Sequence, residues 1–263
     1  MLDNTKTYAL ALEGGGARGA YQVGVWKALV EKGIGFNAVS GTSVGALNGA
    51  MFAMGELDKA MDIWQNIAFS KVMNVDEELL SRIVERRIEK TDLAQVQKML
   101  LNTALNRGID VQPLRRWIRE VVDAERIAHS PTELFITTFS LTDRKELVLR
   151  ARDLTEEQLY DMLLASAYLP VFHKEPLGGK RYMDGGVADV LPLDALLDAG
   201  YRDIIAIRLH GFGVEKRIEI PDDANIVYIE PSEHLGSILN FDAENSRRNI
   251  IRGYIDGLHA IQS

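Results

Sequence analysis

The chain has 263 residues, 46% of them hydrophobic and 26% charged, with a formal net charge of -8 and no cysteine. That length fits one large domain, or one domain with an inserted subdomain, and the apolar share is enough for a sizeable core. The acidic balance, with no long basic stripe, argues against general nucleic-acid affinity, which is driven by clustered Lys and Arg. The missing thiols exclude disulfides, thiolate metal sites and cysteine nucleophiles.

Met1-Leu2-Asp3-Asn4-Thr5-Lys6 lacks the charged start, apolar stretch and small-residue cleavage site of a signal peptide. No apolar run approaches the roughly 20 residues that span a bilayer. The expectation is a soluble, cytoplasmic protein.

Thr7 to Glu13 has strand character and runs into Gly14-Gly15-Gly16-Ala17-Arg18-Gly19, followed by a helix from Ala20 to about Lys32 that Gly33 stops. Strand, glycine loop and helix in that order present backbone N–H groups to an anion. As G-x-G-x-x-G the loop fits a dinucleotide fingerprint, but the acid wanted about 20 positions later is missing from the stretch Asn37 to Ser43. The Gly-Lys-Ser/Thr ending of a phosphate-binding P-loop is missing too. The functional reading left is an oxyanion hole.

A second strand, Phe36 to Thr42, meets a helix from Ser43 to about Met54 at Gly41-Thr42-Ser43-Val44-Gly45. A G-x-S-x-G elbow turns so sharply that side chains at the flanking positions would collide, and it holds the serine hydroxyl clear of the sheet near a helix N-terminus. Glu56 to Phe69 reads as a further helix. From Lys71 to Asp123 apolar residues recur at helical spacing, among them Leu79, Ile83, Leu93, Val96, Leu100, Leu114, Trp117, Ile118 and Val121, which predicts about three amphipathic helices. Their apolar faces serve packing or form a cap over a site that binds acyl chains.

Strands return at Glu133 to Leu141 and Glu146 to Ala151 around a hairpin turn, Thr142 to Lys145. Thr155 to Tyr168 reads as a helix with a capping box, Thr155 and Gln158, ended by Pro170. Arg181-Tyr182-Met183 leads into Asp184-Gly185-Gly186, and a helix from Pro192 to Ala199 closes at Gly200. Strands at Asp203 to Leu209 and Asn225 to Glu230 and a helix from Leu235 to Gln262 complete the chain. The pattern predicts an α/β fold in three layers, a mostly parallel central sheet with helices on both faces.

A serine hydroxyl needs a base at neutral pH. His129, His210, His234 and His259 sit in no loop motif that suits a serine–histidine pair, and His173 precedes the one attractive acid. That acid is Asp184, whose two following glycines let its carboxylate approach another backbone closely.

Together GGGARG, GTSVG, ASAYLPVF and MDGGVADVLP resemble the patatin-like phospholipase family in its bacterial form, over roughly Tyr8 to Pro192. The resemblance implies a catalytic pair of Ser43 and Asp184 without histidine. It implies an oxyanion element at Gly14, Gly15, Gly16, Ala17, Arg18 and Gly19, with the N–H groups of Gly15, Gly16 and Ala17 as donors. Gly41 and Gly45 would form the elbow, and Gly185 and Gly186 the Asp-Gly-Gly turn. Arg18 either steers a phosphate head group or favours the loop's geometry. Val190 departs from the family, many of whose members carry Asn there.

The expected function is a serine acyl hydrolase cleaving lipid esters, of phospholipase A or lysophospholipase type, through an acyl-enzyme. The expected layout is one domain over 1–263, with its core at 7–210, the helical insert at 71–123 and the C-terminal helix at 235–262. A small-acyl esterase or thioesterase is the alternative among enzymes, and a lipid- or acyl-binding protein without turnover the alternative outside them. No cofactor or metal is expected. The expected partner is a lipid or acyl-ester substrate, presented at a membrane or micelle surface, and no nucleic acid.

Overall fold

The structure is a computed structural model that describes residues 2–68, 110–170, 172 and 175–262. His173 and the predicted insert up to residue 109 lie outside the described residues.

The sheet is built from β1 (Thr7–Leu12), β2 (Gly35–Thr42), β3 (Glu133–Ser140), β4 (Lys145–Arg150), β5 (Tyr182–Asp184), β6 (Asp203–Ile207) and β7 (Asn225–Ile229). Its order is β4-β3-β2-β1-β6-β7, with β5 paired to β3. Every neighbouring pair is parallel except β3 with β4 and β3 with β5. The expected mostly parallel sheet is therefore present, as a mixed sheet with helices on both faces.

Alternation along the strands makes the two cores. On β1, Leu10 and Leu12 join the larger cluster while Ala9 and Ala11 join the smaller one on the opposite face. The larger face is covered by α1 (Ala20–Glu31), α2 (Val44–Met54), α6 (Glu156–Ser166) and α8 (Ala243–Gln262), the other by α7 (Leu193–Asp198). Each fully buried leucine of this kind contributes about 1.5–3 kcal/mol by leaving water. Helix α3 (Leu57–Gln65) packs on α1, α2 and α8, helix α4 (Gln112–Val121) on α6, and helix α5 (Ala124–Ala128) on α2 and α6. Helix α4 carries the predicted apolar stripe of Leu114, Ile118 and Val121 inward.

Three helix ends differ from the sequence reading, each for a local reason. Helix α3 stops at Gln65, where the Asn66 side chain turns back onto the Asp62 carbonyl at 3.0 Å. Helix α6 keeps the predicted Thr155/Gln158 capping box but ends at Ser166, before Pro170 is reached. The last helix starts at Ala243, not Leu235, because Gly236 takes φ 86 and Asp242 acts as the cap, its carboxylate accepting the Asn245 N–H at 2.8 Å. Residues 235–242 are consequently a connecting segment that crosses the glycine loop. Among the described residues no helix is long and apolar enough to cross a membrane.

Candidate active site

Strand β2 leaves the sheet at Thr42, and Ser43 turns the chain into α2 with φ 57 and ψ -124. A positive φ at a non-glycine residue costs of order 1–3 kcal/mol and persists only where the surroundings enforce it. Here they do. A Cβ on Gly41 would overlap the Gly45 carbonyl, and one on Gly45 would overlap the Leu12 carbonyl, so the elbow closes only with glycine at both places. The Ser43 carbonyl accepts the N–H groups of Ala46 and Leu47, which starts the helix.

Asp184 ends β5. Its Oδ2 accepts the Ser43 hydroxyl at 2.6 Å and its Oδ1 accepts the Gly186 N–H at 2.8 Å. Both side chains are buried, with 7% of each residue exposed. Burial pushes the Asp184 carboxyl up to about 6, against the opposing pull of the Ser43 hydroxyl and the Gly186 N–H. Gly185 packs on the Thr137 carbonyl. The remaining described bonds to the pair come from Ser166 and Tyr168, and none from an imidazole. The His129 ring turns to the Glu125 carbonyl and the His234 ring to the Gly236 N–H.

Residues Gly16–Gly19 of the glycine loop form one 3-10 turn. Three of its N–H groups are taken: Gly14 donates to Val190 O at 2.9 Å, Ala17 to Ile238 O at 2.8 Å and Arg18 to Gly15 O at 3.2 Å. The N–H groups of Gly15 and Gly16 have no acceptor among the described residues. The set of free donors is thus narrower than the motif implies, with Ala17 committed to the connecting segment. The Arg18 guanidinium donates to the carbonyls of Gly236 (2.9 Å), Leu209 (3.1 Å) and His210, so it clamps two loops.

Glu13, which the sequence left without a role, is 2% exposed. Its carboxylate accepts the N–H groups of Leu209 (2.6 Å), His210 (3.2 Å) and Gly211 (2.8 Å). Gly211 in turn lies so close to the Gly14 carbonyl that a Cβ would not fit. A buried carboxylate thus fixes the loop against which the glycine loop rests, a role no motif announces because its partners are main-chain groups nearly 200 residues away.

The family description patatin-like phospholipase matches residues 10–197, which contain the glycine loop, the elbow and the Asp184 turn. The chain belongs to the patatin-like phospholipase family. Patatin-like phospholipase domain-containing protein 6 of Mus musculus is 31% identical to it over 201 residues, 76% of this chain and 13% of that protein. Lysophospholipase NTE1 of Cryptococcus neoformans var. neoformans serotype D is 28% identical over 198 residues, 75% of this chain and 11% of that protein. The chain therefore spans little more than a tenth of the length of these relatives. Among solved structures, VipD from Legionella pneumophila shares the fold with a TM-score of 0.60 at 14% identity, over 97% of this chain and 67% of that one.

In this patatin-like chain Ser43 lines two clefts, and Asp184 lines the first of them. One is bounded by Gly14, Gly15, Gly16, Asp184, Val190 and Phe212, so the free N–H groups and the pair share a single space. Val190 contributes an apolar wall there while its carbonyl holds the Gly14 N–H. The other begins at Gly16 and Ser43 and continues between Leu47, Trp64, Leu114, Trp117, Leu169 and Phe172. The α4 stripe thus serves packing through Ile118 and Val121 and lines this cleft through Leu114 and Trp117.

One group of carboxylates among the described residues has metal-ligand spacing, Glu146, Asp189 and Asp194. Lys216 already occupies it, pairing with Glu146 at 2.8 Å and with Asp194. An ammonium seated between the carboxylates supplies the positive charge that a cation would bring.

Proposed function

We propose that this chain is a serine acyl hydrolase for lipid esters, with Ser43 as nucleophile and Asp184 as its base. The observation that carries the reading is the buried 2.6 Å bond between the two side chains beside two N–H groups with no acceptor among the described residues. As Ser43 Oγ attacks the ester carbonyl its proton passes to Asp184, and the carbonyl oxygen takes up negative charge facing Gly15 and Gly16. One well-placed donor to such an oxyanion contributes about 2.7–4 kcal/mol in a comparable enzyme. Collapse breaks the bond to the leaving oxygen, which departs as an alcohol with the proton from Asp184. Water then repeats the attack on the acyl-enzyme, Asp184 again taking and returning a proton.

The apolar cleft that opens at Ser43 supports an acyl chain as the part of the substrate it holds, and a lysophospholipid or phospholipid as the substrate class. Phe212, Val187 and Val214 are all exposed, Phe212 beside the mouth and 73% accessible, which supports presentation of the substrate at a lipid surface. The shared sheet and the continuous larger core support one acyl hydrolase unit over the chain, with its core at 7–210.

A fluorophosphonate probe tests the reading, since it labels only an activated serine. Labelling of the folded protein mapped to Ser43, blocked by prior incubation with a lysophospholipid, is the expected result. Folded protein that stays unlabelled would instead make the chain a lipid binder without turnover.

A further inference from the structure

The segment Ala165 to Pro170, part of the ASAYLPVF motif, has no part in the chemistry above, yet it touches the main chain of both reacting residues. Ser166, the last residue of α6, is wholly buried. Its Oγ accepts the Ser43 N–H at 2.8 Å and donates its own hydrogen to the Thr137 carbonyl at 2.6 Å. Two residues on, the Tyr168 carbonyl accepts the Asp184 N–H at 2.9 Å. The end of one helix therefore holds both halves of the pair from behind.

Ser43 needs such a hold. Its φ of 57 is one that a side chain opposes, and the helix start secures its carbonyl but not its N–H. That N–H meets a single side-chain oxygen. A hydroxyl accepts from one buried main-chain group and donates to another through the same atom, which a thiol does only weakly and a methyl not at all. The bond to Thr137, which is itself paired to Thr42 in the sheet, fixes the hydroxyl's orientation and leaves a lone pair for Ser43.

We infer that Ser166 is a positioning residue for the nucleophile: bridging Thr137 O and Ser43 N, it sets the main-chain conformation that points Ser43 Oγ at Asp184. The inference rests on the Ser43–Asp184 reading above. It makes the rate of the chemical step, more than the binding of substrate, depend on a residue that touches no substrate.

The test uses the full chain with S166A, S166C, S166T and S43A, a soluble p-nitrophenyl ester, and rates normalised to the folded fraction measured by circular dichroism. S166A should lose about 10- to 100-fold in kcat, the loss that a displacement near 1 Å brings. Its KM should stay within about twofold of wild type. S166T, which keeps the hydroxyl, should recover most of the rate. Wild-type kcat in folded S166A, whatever its melting temperature, would overturn the inference and leave Ser166 a packing residue. If S166A does not fold, S166C decides: its thiol is a weak donor and acceptor, so kcat should fall about tenfold, and an unchanged kcat would overturn the inference. Hydrolysis retained by S43A would sink the underlying reading instead, a result independent of Ser166.

Discussion

Ser43 donates its hydroxyl hydrogen to Asp184 over 2.6 Å although 141 positions separate them, and strand β3 is the reason. Thr137 of that strand pairs with Thr42, and the next residue, Thr138, pairs with Asp184. Strand β2 lies against β3 up to Thr42 and then leaves, and β5 pairs with β3 from Thr138 onward. The side chain that follows Thr42 and the one that ends β5 are thereby delivered to the same point.

Removal of either side chain should abolish turnover while the fold survives. S43A and D184N are each expected to lose on the order of 10⁴-fold or more in kcat for a p-nitrophenyl ester. Ionised Asp184 is disfavoured by burial, so D184N should melt no lower than wild type at pH about 8. A D184N enzyme with near wild-type turnover would remove Asp184 as the base.

The rate should follow the ionisation of Asp184, which must be a carboxylate to accept the serine proton. With burial holding that carboxyl up to about 6, kcat/KM should rise as pH increases through about 6 and level off above it. A profile flat down to pH about 4 would exclude a base with this ionisation.

Stability should run the other way with pH. Asp189 is pushed up to about 7 by burial, with Asp194 adding to the effect, from an ordinary carboxyl value of 3.8. Between those values the folded chain keeps a proton that the unfolded chain releases, so stability falls as pH rises across that window. Asp184 acts in the same sense up to about 6. D189N should therefore show a smaller drop in melting temperature between pH about 5 and about 8 than wild type does. An equal drop in both would mean that Asp189 is solvated.

E13Q should loosen the loop behind the proposed oxyanion donors. An amide cannot accept three N–H bonds as a carboxylate does, and bonds to a charged group contribute about 1.5–3 kcal/mol. Urea unfolding should show a loss of that size, together with a lower kcat. An unchanged midpoint would show that the three bonds to Leu209, His210 and Gly211 do not hold the loop.

L47W should shorten the preferred acyl chain, because Leu47 lines the apolar cleft that starts at Ser43. Across a series of p-nitrophenyl esters from short to long acyl groups, the optimum should move to shorter chains while the shortest ester keeps its rate. An unmoved optimum would place the acyl chain elsewhere.

Where a motif is a statement about local backbone, it could be read directly. The glycines of the elbow are needed because of atoms within a few residues or on the adjoining strand, and the Thr155/Gln158 box caps its own helix. The strand alternation of β1, with Leu10 and Leu12 against Ala9 and Ala11, is likewise a property of neighbouring residues. The last helix begins later than its apolar pattern, which runs on through Leu235 and Ile238, because Asp242 and the positive φ of Gly236 decide where the helix begins.

By itself, then, the sequence determined the family, the α/β order and the two side chains proposed for the chemistry, since each is carried by residues close together in the chain. Tertiary structure alone decided which glycine-loop N–H groups are free, that Arg18 clamps loops, and that Glu13 and Ser166 stand behind the site. Those assignments depend on bonds between main-chain groups and side chains far apart in sequence. Nearly every residue offers the same N–H and C=O, so only the folded chain shows which of them meet.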